Sequence, residues 1–206
     1  NKYLKKEIKK KKLNSQIINV DVKSINKYLT KINNQYFFTE GNKQNLLFIF
    51  AVAKILKLNK QNLFETINNF KGLKFRQQII YKSKNMTLIN DSKATSYSSS
   101  INILKSLKRV YWIVGGIPKS GDKFLMSKKD CSNFKAYIFG RNKSFFVKEL
   151  KNKMSYECFD NLKKALKKII LDAKLEKKYK TILFSPSAAS FDDFKNFEDR
   201  GKKFNN

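Results

Sequence analysis

"VYWIVGGIPKSGDKF" (residues 110–124) joins an apolar run, Val110 to Val114, to a pair of glycines and a proline. The apolar run reads as a β-strand, bounded by Gly115 and Gly116. Gly116 and Gly121 have the G-x-x-x-x-G spacing of a phosphate-cradling loop, but Asp122 and Lys123 stand where such a loop needs Lys followed by Ser or Thr. The stretch therefore reads as a turn at the end of a strand, with the glycine spacing a coincidence. The whole chain holds seven Gly and two Pro, and four of those nine residues fall here. Where composition disfavours Gly and Pro, their clustering marks a backbone that other residues could not adopt.

Outward from this strand, elements alternate. "RQQIIYKS" (76–83) and "MTLIND" (86–91) read as the two strands of a hairpin, and "YSSSINILKSLKR" (97–109) as a helix. "KAYIFG" (135–140) reads as a strand, "NLKKALKKIILDAKLE" (161–176) as an amphipathic helix, "KTILFS" (180–185) as a strand and "FDDFKNFEDRG" (191–201) as a helix. This alternation predicts an α/β fold: a Rossmann-like, mostly parallel sheet flanked by helices. Residues 1–40 are rich in Lys and Asn, with short β-like pieces at 15–22 and 34–40 that are too little to form a core alone. "NLLFIFAVAKILKL" (45–58) reads as a buried helix. Asn59 is placed to cap a second helix over 60–70, with Gly72 as its left-handed terminator. A change of regime near residue 75 predicts two regions, 1–74 and 75–206.

Composition narrows the function. The longest apolar run, "LLFIFAVA" at 46–53, is too short to span a bilayer, and no apolar segment follows the basic amino end. Neither a membrane span nor a signal peptide is expected, and a cytoplasmic location is. The two cysteines, Cys131 and Cys158, lack metal-ligand spacing, and the chain has no histidine, so free thiols and no metal site are expected. The net charge of +29 points toward polyanions, but the cations are 41 Lys and only 4 Arg, spread along the whole chain. Specific readout of nucleic acid favours the planar Arg fork. The even spread of Lys, Asn and Ile instead reads as compositional bias, with no specific nucleic-acid partner. The chain begins with Asn, which reads as the start of a piece of a longer protein.

In open α/β sheets ligands sit beyond the carboxyl ends of the strands. Three loops occupy such places. "INDSKATSYSSS" (89–100) offers polar side chains and a helix start, suited to a phosphate or carboxylate, or simply to N-capping by Thr95 or Ser96. The glycine loop offers Lys119 and Lys123, which read equally as solvated charges. "FSPSAASFDDFKNFEDRG" (184–201) has small residues at the strand end, capping-box spacing between Ser190 and Asp193, and Phe191, Phe194 and Phe197 at the spacing of a core-facing stripe.

Taken in order, "INDSKAT", then "GG" followed by Lys and Phe, then "SPSAASFDDFKNFEDRG" resembles the Mur ligase family, within it the branch that adds D-glutamate. "GNKQNLL" (41–47) and "FKGLKFRQQII" (70–80) resemble the end of that family's central domain and its crossing into the carboxyl-terminal domain. The resemblance implies that residues 1–74 are the tail of an ATP-binding central domain and 75–206 an amino-acid-binding domain. It implies a ligase of peptidoglycan synthesis that uses ATP and Mg2+ to join D-glutamate to UDP-N-acetylmuramoyl-L-alanine through an acyl phosphate. By position, Thr95, Lys119, Ser190, Phe191 and Phe197 match residues that hold D-glutamate, and Asn45, Arg76, Asp91 and Lys93 match the nucleotide edge. The chemistry agrees, since an ammonium, two hydroxyls and helix-start N–H groups suit a dicarboxylate. The family's phosphate loop and metal ligands lie upstream of the matching region, so no catalytic or metal-binding residue is expected here, and the chain alone should be inactive. A monomer is expected. The chain departs from the family pattern at Phe75, usually His; Ser96, usually Asn; Ile117, often acidic; and Phe191, often Leu. Another Mur-type ligase is the enzymatic alternative, and a basic nucleic-acid-binding module the non-enzymatic one.

Overall fold

In the computed structural model, residues 2–11, 17–20 and 25–206 are described. The chain forms two compact units, residues 1–70 and 71–206. In the first, helices α1 (Lys2–Lys10) and α2 (Asn26–Leu29) and a 3-10 turn (Gln35–Phe38) precede α3 (Glu40–Ile55) and α4 (Lys60–Asn69). Its core is Ile25, Ile32, Phe37, Leu46, Leu47 and Ile67, so the Lys- and Asn-rich segment makes a core only together with α3 and α4. The β-like reading of 15–22 lies partly outside the described residues, and 17–20 and 34–40 contain no strand. α3 begins five residues before the expected position. It is not buried all round: Leu46, Leu47 and Ala53 are covered, whereas Phe48 is 63% and Val52 51% exposed. An apolar helix in a unit this small can turn only one stripe inward. Asn59 caps α4, its side chain accepting from the Asn62 amide. Gly72 has a positive φ but follows the end of the helix, whose cap is Phe70.

The second unit is a six-stranded sheet. Its strands are β1 (Gln78–Lys82), β2 (Met86–Asn90), β3 (Val110–Gly115), β4 (Phe134–Phe139), β5 (Ser155–Phe159) and β6 (Lys180–Phe184), in the order β1-β2-β6-β3-β4-β5. β1 pairs antiparallel with β2 as a hairpin, and the four other pairings are parallel. The α/β expectation holds, with a mostly parallel sheet. The reason is visible in the strands: "VYWIV" alternates between two covered faces. Trp112 and Val114 join Ile101, Leu104, Phe146 and Leu150 of α5 (Tyr97–Leu104) and α6 (Lys143–Leu150). Ile113 joins Ala165, Ile169 and Phe204 of α7 (Leu162–Leu175) and α8 (Phe197–Asn205) on the other face. Strands buried on both sides are apolar throughout rather than alternating.

Two expected helices are shorter than their readings: α5 stops at Leu104 rather than at residue 109, and α8 starts late. Residues 191–196 form turns, and α8 begins only after Asn196, whose side chain accepts from the Asp199 amide. The Ser190–Asp193 capping box is therefore not formed. Ser190 instead accepts the Phe194 amide through its carbonyl, closing a turn. The sequence between Ser190 and Phe197 carries Asp192, Asp193 and Asn196, which suit turns as well as a helix start, and Asn196 supplies the stronger cap.

Candidate functional site

The loops after β2, β6 and β3 meet at the carboxyl edge of the sheet, because these strands are neighbours in that order. Ile117 and Ala189 exchange two backbone hydrogen bonds of 2.9 Å, zipping the glycine loop to the loop after β6. The Gly115 amide also donates to the Pro186 carbonyl. Gly116 has φ +126, and a Cβ there would lie 2.4 Å from the Ala189 carbonyl oxygen, so the zipper requires glycine. The Asn142 side chain donates to the Gly116 carbonyl from the loop after β4.

The residue that spoils the phosphate-loop motif has a structural task. An Asp122 carboxylate oxygen accepts the Tyr97 amide at 2.6 Å, so the glycine loop places its own negative charge at the start of α5. A carboxylate there is favoured by the free amides and dipole of a helix start. The Ser96 hydroxyl accepts from Ser99, which makes Ser96 the N-cap. Asp122 thereby couples the loop after β3 to the loop after β2.

Below these loops lies a buried polar chain. Ser185 donates to an Asp91 carboxylate oxygen at 2.8 Å, the Gln77 amide donates to the other oxygen at 3.1 Å, and hydroxyls of Ser185, Ser100 and Ser187 continue the line. Burial pushes the Asp91 carboxyl up to about 7, against the lowering influence of the Ser185 and Gln77 hydrogen bonds and the Arg76 charge. A second polar centre is Arg200, completely buried. Its Nε donates to the Ser92 hydroxyl (3.2 Å), Nη2 to the Ser92 carbonyl (2.7 Å) and Nη1 to the Ala188 carbonyl (2.9 Å). Ser92 in turn donates to the Phe197 carbonyl at 2.8 Å.

No protein-family model matches the chain. It is 38% identical over 164 residues to the UDP-N-acetylmuramoylalanine–D-glutamate ligase of Wolbachia from Brugia malayi, covering 80% of this chain and 33% of that protein. The Rickettsia felis protein of the same name is also 38% identical over 164 residues, covering 79% of this chain and 36% of its own length. Among solved structures, MurF from Acinetobacter baumannii shares the fold with a TM-score of 0.54 at 19% identity, covering 73% of this chain and 35% of that one. The UDP-N-acetylmuramate-alanine ligase MurC from Thermotoga maritima does so with a TM-score of 0.54 at 16% identity, covering 81% of this chain and 37% of that one. The chain belongs to the Mur ligase family. It spans about a third of the length of the curated relatives it matches.

Within this Mur ligase chain, Thr95, Lys119 and Phe191 are exposed, Ser190 is buried, and Phe197 is half-buried at the start of α8. The loops that carry them are the ones tied together by the Ile117–Ala189, Asp122–Tyr97 and Ser92–Phe197 contacts. Ser190 and Phe197 do not share one side of a continuous helix, because turns separate them. Of the nucleotide-edge residues, Asn45 lies on α3 in the first unit, while Arg76, Asp91 and Lys93 are in the second. Arg76 is exposed. Asp91 is turned inward with both oxygens engaged, and the Lys93 ammonium sits 3.9 Å over the Phe197 ring. Among the described residues no group of three or more Cys, Asp or Glu is arranged to hold a metal. Among the described residues no helix is long and apolar enough to cross a membrane.

A cavity of about 1040 Å3 lies on the α7/α8 face over Ile80, Leu88, Ile169 and Ile182, and none of Thr95, Lys119, Ser190, Phe191 or Phe197 lines it. It is an open apolar trough, whereas the loop cluster carries the polar groups that a charged substrate needs. Sequence reasoning missed Arg200, Ser92 and Asp122. A signal for the first existed: in a chain whose cations are nearly all Lys, an Arg marks a place that needs the planar fork.

Proposed function

We propose that this chain is the carboxyl-terminal part of an ATP-dependent ligase that joins D-glutamate to UDP-N-acetylmuramoyl-L-alanine in peptidoglycan synthesis, working in the cytoplasm. In this reading residues 1–74 end the ATP-binding domain and residues 75–206 hold the incoming amino acid. The observation that carries it is the convergence of the loops bearing Thr95, Lys119, Ser190 and Phe197 at one sheet edge, in a chain whose relatives are D-glutamate ligases. ATP supplies the phosphoryl group that turns the acceptor carboxylate into an acyl phosphate; the D-glutamate amine attacks that carbonyl and phosphate leaves.

The roles follow from charge and reach. Lys119 is exposed on the zipped glycine loop, so its ammonium meets a substrate carboxylate. Thr95 and Ser190 supply hydroxyl donors, and Phe191 and Phe197 wall the pocket. In the second unit, exposed Arg76 faces the nucleotide. Asp91 serves it indirectly, by holding the Gln77 amide and with it the segment that carries Arg76.

In the full-length ligase, Lys119→Ala is expected to raise the KM for D-glutamate by roughly 100-fold while the KM for ATP changes by less than about threefold. Steady-state kinetics with each substrate varied in turn checks this. The opposite pattern would restore the phosphate-loop reading of residues 116–123.

A further inference from the structure

We propose that Arg200 is a positioning residue for the amino-acid subsite: its guanidinium is the pin on which the loops after β2, β6 and β3 are registered. This rests on the reading of the site as a D-glutamate subsite. Arg200 lies on α8, and its three hydrogen bonds reach two other segments, Ser92 in the loop after β2 and Ala188 in the loop after β6. The third loop passes close by, because a Cβ added to Gly116 would lie 3.1 Å from Arg200 Nη1. Each segment carries a residue of the subsite within a few positions: Thr95 after Ser92, Ser190 after Ala188, Lys119 after Gly116, and Phe197 one turn before Arg200 itself. Ser92 closes the circuit, since its hydroxyl accepts from Arg200 and donates to the Phe197 carbonyl.

A fold-stabilising role alone does not account for these contacts. The acceptors are two carbonyls and a hydroxyl, and among the described residues no carboxylate lies within ion-pair distance of the guanidinium. A buried cation whose hydrogen bonds all go to neutral groups costs solvation that a well-packed apolar side chain would avoid. Burial lowers the Arg200 pKa to about 10, with Asp192 opposing, so the charge persists at neutral pH. What the residue adds is geometry. Only a planar fork can donate to the hydroxyl and carbonyl of Ser92 on one side while reaching Ala188 on the other. It also leaves a positive potential beneath loops that are to receive two carboxylates.

The test is made in the full-length ligase with Arg200→Lys, which keeps the charge and loses the fork, and Ser92→Ala, which removes one acceptor and the link to Phe197. Arg200→Lys is expected to raise the KM for D-glutamate by about 10-fold or more, with kcat and the KM for ATP within about twofold. Ser92→Ala is expected to give the same pattern at roughly threefold. Equal changes in the KM for ATP and for D-glutamate, or a loss of thermal stability with unchanged KM values, would overturn the proposal. If Arg200→Lys does not fold, Ser92→Ala decides, and an unaltered KM for D-glutamate in that variant overturns it too. Wild-type enzyme that does not turn over D-glutamate at all would instead remove the functional reading, and this inference with it.

Discussion

Asp91 is a carboxyl that the fold would rather keep protonated. Desolvation outweighs the hydrogen bonds from Ser185 and Gln77, so its pKa rises from 3.8 toward 7. The folded chain then holds the proton more tightly than the unfolded chain. The resulting stability is complete below the unfolded value of 3.8 and is lost as the pH rises through about 7. A shift of that size is worth at most roughly 4 kcal/mol. Asp91→Asn keeps the shape and an acceptor for Gln77 but cannot titrate. Relative to the wild type, the variant is expected to gain stability between pH 4 and pH 8, read from urea unfolding at several pH values; parallel curves would refute the assignment. Gly201 makes a second residue-scale test. A Cβ there would fall 2.3 Å from the buried Phe75 ring, whose backbone sits at φ 62. Gly201→Ala should cost about 2 kcal/mol of unfolding free energy through overpacking, and less in a Phe75→Leu background.

Among the elements, α8 best separates what a sequence shows from what it conceals. A polar-aromatic run from Phe191 reads as one helix, but the helix starts after Asn196 because that side chain satisfies the Asp199 amide, while the Ser190 carbonyl closes a turn. Asn196→Ala should therefore cost about 1 kcal/mol, and Ser190→Ala less than about 0.5 kcal/mol, in thermal unfolding of the same protein. The reverse ranking would move the helix start back to residue 191. Strands β3, β4 and β6 were legible because their apolar runs, VYWIV, AYIF and ILF, suit a doubly covered sheet. β5 was not: Ser155, Tyr156 and Cys158 are exposed at the sheet edge, so "SYECF" lacks the apolar run that marked the others. α6 was not legible either, because its eight residues bury only Phe146 and Leu150, too few to mark a helical period.

At the scale of the whole molecule, the loops that bear the site were legible because strand-then-loop order is local, and their mutual ties were not. Asp122 reaches Tyr97 across 25 residues and Arg200 reaches Ser92 across 108, separations that no spacing rule spans. Charge is the property that sequence and structure weigh differently. The formal charge of +29 is real, but carboxylates are drawn into local pairs, Asp172 with Lys135 and Lys168, Asp160 with Lys143 and Lys164. Among the described residues most of the remaining lysines lie on the surface, Lys180 being buried, and three of the four arginines, Arg76, Arg109 and Arg141, are exposed at separate points of the second unit, with the fourth buried. Such a surface attracts any polyanion through counterion release and reads no base sequence. Duplex DNA is therefore expected to bind weakly at 50 mM salt, to lose about 1000-fold in affinity by 200 mM, and to bind equally well when its sequence is scrambled. Fluorescence anisotropy across a salt series measures all three, and retention of tight, sequence-dependent binding at 200 mM would favour a nucleic-acid module over the ligase reading.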